Sequence, residues 1–139
     1  MRRFPAPFTA LLRERAVSGG LLLAGAVLII ANALGVKLWH CAFLEVTGRP
    51  CPGCGLTRGL TALCHGEVMH SMKWHPFSPV FALGGVIMLV SSILPAPSRE
   101  RLTGLVQGIE EHTGVTLWLL TALMVFGGWR MARGEMFLW

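Results

Sequence analysis

The sequence predicts an all-α membrane protein with three transmembrane helices and a cysteine-rich interfacial cap of two short helices between spans one and two. Three observations carry that expectation. The 139 residues are 53% hydrophobic and only 14% charged, too apolar for an ordinary water-soluble domain. The apolar residues gather into three stretches separated by more polar connections. One of those connections, from His40 to His75, holds all four cysteines and four of the five histidines. The length suits a single membrane domain over residues 1–139, with spans at about 16–36, 76–94 and 115–133, a cap over 38–75 and a surface helix over 98–112.

The first stretch, Ala16 to Val36, runs 21 residues without a charge. A helix needs roughly 20 residues to cross about 30 Å of hydrocarbon. A cleaved signal peptide is the rival reading, because Arg2 and Arg3 precede the run and Ala31-Asn32-Ala33 resembles a cleavage site. The run is longer than a typical signal core, and Glu14 lies ahead of it, so a retained anchor fits better. The second stretch, Pro76 to Leu94, has 19 uncharged residues. The third reaches 15 residues from Val115 before Arg130, and continues as a span if Arg130 and Arg133 snorkel toward headgroups.

Three crossings place Trp39, Trp74 and Trp129 at one interface, where indoles are favoured, and Trp118 at the other. The basic residues divide six and six between the two faces, so orientation rests on Arg2, Arg3, Arg13 and Arg15 ahead of span one. These favour a cytoplasmic N-terminus and a cysteine loop outside the cytoplasm, where disulfides persist. A net charge of +5 then points to anionic lipid as partner and not to nucleic acid, since no basic groove with interleaved aromatics is present. Small residues at Gly20, Ala24, Ala31, Gly84 and Gly85 permit close helix approach, within the chain, in a homo-oligomer or to other membrane proteins.

Between spans two and three, Pro95 and Pro97 read as helix breakers and Ser98 as an N-cap. Leu102, Leu105, Val106 and Ile109 follow at the spacing of one amphipathic face. Glu110, Glu111 and His112 read as a solvated polar end with no assigned chemistry.

The cap has the spacing His40-Cys41-x9-Cys51-x2-Cys54-x9-Cys64-His65. Pro52 and Gly53 shape a turn between Cys51 and Cys54, and Gly55 lets the chain bend before Thr57 caps a helix ending near His65. Leu56, Leu60, Leu63 and Cys64 would line that helix's buried face, and Gly66 would stop it. A second short helix, with Glu67 near its positive end, would run to Trp74.

Four kinds of chemistry suit these residues. Cys51 and Cys54 have the spacing of half a zinc site, which Cys41, Cys64 or His65 would complete. As a redox pair, their thiolate would be stabilised by the start of the following helix and by Arg58. As a nucleophile, Cys51 or Cys54 would take His65, His70 or His75 as base, Glu67 as its orienter and Arg58 as an anchor for an anionic substrate. As a staple, either would bond to Cys41.

The run "TGRPCPGCGLTRGLTALCHGEVMHSMKWHPF", with Cys41 upstream, resembles a family of small bacterial membrane proteins catalogued as domain of unknown function 2752. Cys41, Thr47, Gly48, Cys51, Pro52, Gly53, Cys54, Gly55, Thr57, Arg58, Gly66 and Pro76 fit its pattern. Glu67 stands where that family more often has Asp, and His75 where it has Asn. The resemblance covers about 40 residues in detail and implies a multi-pass protein of the bacterial cell membrane, without an activity. The leading expectation is a binding or assembly module whose CPGCG loop forms a structural metal site, with zinc as cofactor, or a disulfide. A membrane thiol-disulfide oxidoreductase using Cys51 and Cys54 is the enzyme alternative. A cysteine-nucleophile enzyme and a soft-metal transporter are the remaining readings.

Overall fold

The computed structural model describes residues 4–36, 42–49, 51 and 53–133, and every regular element among them is helical. In chain order these are α1 (Pro7–Arg13), α2 (Arg15–Ala33), α3 (Ala42–Thr47), α4 (Leu56–Cys64), α5 (Val68–Trp74), α6 (Ser78–Ile93), α7 (Ala96–Thr113) and α8 (Val115–Arg133). Two helices, α2 and α8, are long and apolar enough to cross a membrane, and a third crossing exists if α5 and α6 count as one bent span. The chain divides into two compact units, Met1–Ala24 with Gly84–Thr121 and Gly25–Leu83 with Ala122–Trp139.

What is buried inverts the pattern of a water-soluble core. Among the described residues, fully or nearly buried polar ones include Thr9, Ser18, Ser71, His75, Ser78, Ser91, Glu110 and Arg130, against only Leu12, Ala31, Ala62 and Met88 among hydrophobics. Large apolar side chains face outward instead, with Leu34 and Ile93 each 74% exposed. Water would penalise that arrangement by roughly 25 cal/mol for each Å² of apolar surface left exposed. Lipid does not, and it leaves polar groups to satisfy one another inside.

In the first unit, α1 is too short to be stable alone and is made by α7. Pro7 opens it at the position where a missing N–H costs nothing. Glu110 of α7 accepts from the N–H groups of Phe8 and Thr9, both at 3.0 Å, and from the Thr9 hydroxyl at 2.7 Å. At the other end, Arg99 Nη2 donates to the carbonyls of Leu12 and Arg13 at 2.6 Å. An anion thus sits at the positive end of α1 and a cation at its negative end.

Several sequence expectations are corrected here. Glu110 is not a solvated residue; it is 1% exposed. The surface helix starts two residues early, at Ala96, and its N-cap is Pro95 rather than Ser98, because prolines at the start of a helix lose no hydrogen bond. Its buried face is Thr103 and Glu110 against α1, whereas Leu105 and Ile109 are 69% and 60% exposed.

In the second unit, the connection to α6 bends by 109° at His75, Pro76 and Phe77. His75 is extended (φ −156°, ψ 116°), as a residue preceding proline prefers, which ends α5. The following helix begins at Ser78 and has 16 residues, shorter than the span expected over 76–94. At 1.5 Å per residue it rises roughly 24 Å. The connection between α2 and α6 holds an additional short helix, α3, besides the two expected.

Candidate functional site

Cys51 and Cys54 are brought together by a turn in which the Cys54 N–H donates to the Cys51 carbonyl at 3.0 Å. Such a bond holds the two Cα atoms within about 7 Å, near the range that a disulfide requires. The Cys51 thiol donates to the Cys54 sulfur at 3.3 Å, and both residues are half-buried. Cys64 is exposed at the end of α4.

The backbone of this turn is fixed from two further directions. Arg130 of α8 donates from Nη1 to the Cys54 carbonyl at 2.8 Å. Expected to snorkel, Arg130 instead turns inward and is 8% exposed, because the turn carbonyl offers its charge a polar partner inside the fold. Gly55 then takes φ +93°, open to glycine at little cost, and a Cβ there would lie 2.8 Å from the Trp74 carbonyl oxygen. Glycine is therefore required at 55 twice over, and Gly55 rather than Thr57 stands at the N-cap of α4.

Helix α4 packs through small residues. Gly59, Thr61 and Ala62 are buried, whereas Leu56, Leu60 and Leu63 are half-buried and Cys64 is exposed, correcting the face expected from spacing. The Thr61 hydroxyl accepts from Asn32 of α2 at 3.0 Å and donates to the Thr57 carbonyl at 2.9 Å. A Cβ on Gly59 would run into the Ser78 hydroxyl and approach the Ser71 carbonyl oxygen to 3.2 Å. Ser78 is fully buried and donates to the carbonyls of Ser71 and His75. Gly59→Ala should therefore destabilise the protein by about 2 kcal/mol, as overpacking of a tight site does, read as a lowered thermal midpoint in detergent. An unchanged midpoint would show that the helices separate freely.

The other sequence-chosen residues have different surroundings. Arg58 is exposed with its guanidinium 5.0 Å from the Trp74 ring centre. His70 stacks on the same indole and pairs with Glu67 at 3.0 Å. His75 is fully buried, its ring edge-on to Phe126 of α8 at 5.7 Å and tilted against Phe77. Among the described residues no three of His, Cys, Asp and Glu converge as a metal-ion site, so Cys51, Cys54, Cys64 and His65 form no such cluster. Cys41 lies outside the described residues. Sequence reasoning missed Asn32 and Arg130 as parts of this site. Their signal was present, since a polar or charged residue inside an apolar span is a functional pointer by itself.

These features define an all-helical protein with two or three helices fit to cross a bilayer and a paired-cysteine turn held by a buried arginine. Residues 41–89 match the family described as Protein of unknown function (DUF2752), the family that the CPGCG-x-TR run resembles. No curated protein and no solved structure matches the chain.

Proposed function

We propose that this chain is a multi-pass protein of the bacterial cell membrane that exchanges electrons with a partner protein through Cys51 and Cys54. The observation that carries this reading is the 3.3 Å approach of the two sulfurs in a turn already fixed by Arg130 and by the Gly55–Trp74 approach. A bond between Cys51 and Cys54 themselves would gain little as a staple, since it closes a short loop whose backbone is held without it, whereas the staple to Cys41 rests on a residue outside the described ones. An exchangeable pair needs what the turn supplies: near sulfurs, partial exposure, and a scaffold that survives breaking of the bond.

The exchange balances as follows. The thiolate of one cysteine attacks a partner's disulfide, forming a mixed disulfide and releasing one partner thiolate. The second cysteine attacks the mixed disulfide, forming the Cys51–Cys54 bond and releasing the other partner thiolate. Two electrons pass to the partner, and the protons lost by the two cysteines end on its thiols. The reverse direction oxidises a partner dithiol.

The test is intact mass after alkylation in denaturant, with and without prior treatment by oxidised glutathione, followed by peptide mapping. The expected result is loss of labelling at Cys51 and Cys54 together on oxidation, and capture of a disulfide-linked protein by Cys51→Ser or Cys54→Ser. Full labelling after oxidation with nothing captured would reject exchange. One zinc per chain together with four labelled thiols would favour the structural-metal reading instead, and with it the binding or assembly module.

A further inference from the structure

We infer that the first unit holds a binding site for a phosphate group carrying a hydroxylated substituent, of the kind found in a phosphoglycerol headgroup. This is independent of the cysteine chemistry. A cavity of about 430 Å³ lies between the end of α1 and the start of α7, lined by Arg13, Ala96, Arg99, Glu100, Thr103 and Gly104. Its volume falls within the usual range for small-ligand sites, about 300–1,000 Å³.

Two guanidinium groups face this cavity, and each is oriented by a single nitrogen. Arg99 spends Nη2 on the carbonyls of Leu12 and Arg13, and its buried Nε has no hydrogen-bond partner. Arg13 spends Nη2 on the Gln107 side-chain oxygen at 2.7 Å. A guanidinium carries five N–H donors, so both retain donors, and their forked geometry matches a tetrahedral oxyanion. Pre-orientation reduces the entropy lost when the anion docks.

Glu100 bears on which anion fits. It would repel a bare multivalent phosphate, but two arginines against one glutamate leave one positive charge, which a phosphodiester neutralises. The Glu100 carboxylate and the Thr103 hydroxyl then offer acceptors for hydroxyl groups on the substituent. Glycine at 104 and alanine at 96 keep the remaining wall low. The helix that carries most of the lining is not among the candidate spans, and it exposes Leu105 and Ile109. Such a helix rests at the headgroup level, where phosphoglycerol lipids are presented.

The same chemistry is offered by a lipid headgroup and by the soluble phosphodiester glycerophosphoglycerol, and the experiment separates them. The full chain in a mild non-ionic detergent is mixed with phosphatidylglycerol, with phosphatidylcholine, or with glycerophosphoglycerol, and retained ligand is read by native mass spectrometry. Phosphatidylglycerol should be retained at least tenfold over phosphatidylcholine. Arg13→Ala, which leaves the Arg99 clamp on α1 intact, should lower that retention about tenfold, the loss of one charge-assisted bond. Arg101→Ala, outside the lining, should leave it unchanged. Displacement by millimolar glycerophosphoglycerol assigns the site to a soluble ligand, and retention against it assigns the site to lipid. Equal retention of the two lipids, or an equal effect of the Arg13 and Arg101 substitutions, would overturn the proposal; the first comparison needs no variant.

Discussion

Glu110→Ala should cost about 3–5 kcal/mol of stability, because it removes one ionised acceptor from several buried donors at once, each such bond contributing about 1.5–3 kcal/mol and the set adding less than its sum. The donors left behind would be the backbone N–H groups of Phe8 and Thr9 and the hydroxyls of Thr9 and Thr116. The check is a chemical or thermal unfolding curve in detergent, with proteolysis around residues 4–14 reporting release of α1. The same carboxylate also predicts a pH dependence. Burial alone pushes its pKa up, but the hydrogen bonds from Thr116, Thr9 and the two backbone N–H groups outweigh burial and hold it below the ordinary value of 4.5. A depressed carboxylate stabilises the fold fully above the unfolded-state pKa, and that contribution is lost as pH falls through the folded-state value. Stability of the natural chain should therefore drop from about pH 4.5 downward, and Glu110→Gln should remove this component. A Glu110→Gln curve parallel to that of the natural chain through this range would show that another carboxylate governs the acid limb.

Arg130→Ala carries the second large effect. It deletes a charged donor to the Cys54 carbonyl and leaves a void where a nearly buried side chain stood. Together these should cost about 2–4 kcal/mol. A loosened turn should also raise the alkylation rate of Cys51 and Cys54 about tenfold, as an opening made easier by 1.4 kcal/mol would. Arg130→Lys keeps the charge without the fork and should fall between the two. Labelling at the natural rate in Arg130→Ala, with the chain folded, would show that the turn holds itself and that the arginine serves α8 alone.

The helical class, the three apolar stretches and the paired cysteines are all legible in the sequence because each is a local property. Composition marks the solvent, run length marks the span, and a Pro-Gly pair between two cysteines marks a turn. The third apolar stretch, Val115 to Trp129, lies within the helix Val115–Arg133. Gly55 was readable as a bend, but the second reason for it, the Trp74 carbonyl, comes from 19 residues away and has no trace in local spacing.

The missed elements share one physical cause. Helix α1 has too few residues to announce itself by periodicity, and its caps come from Arg99 and Glu110, 86 to 102 residues further along. Glu110 looked like a solvated charge because sequence shows an acidic side chain and not the donors waiting for it. Spacing placed Leu105 and Ile109 on one apolar face of α7 but could not say which side packs against the fold, where Thr103 and Glu110 turn in and those two face outward. Arg130 likewise turns inward onto the cysteine turn, where the Cys54 carbonyl receives its charge.

The sequence by itself determined that the chain is helical, that two or three of its stretches are apolar enough to cross a membrane, and that two cysteines lie within one turn of each other. Only the tertiary structure decided that the buried interior is polar, that α1 exists because α7 caps it at both ends, and that the cysteine turn is held by a charge from α8. The physical reason is that helix formation and hydropathy are summed over neighbours in the chain, whereas a buried donor or charge is settled by whichever partner the fold brings to it.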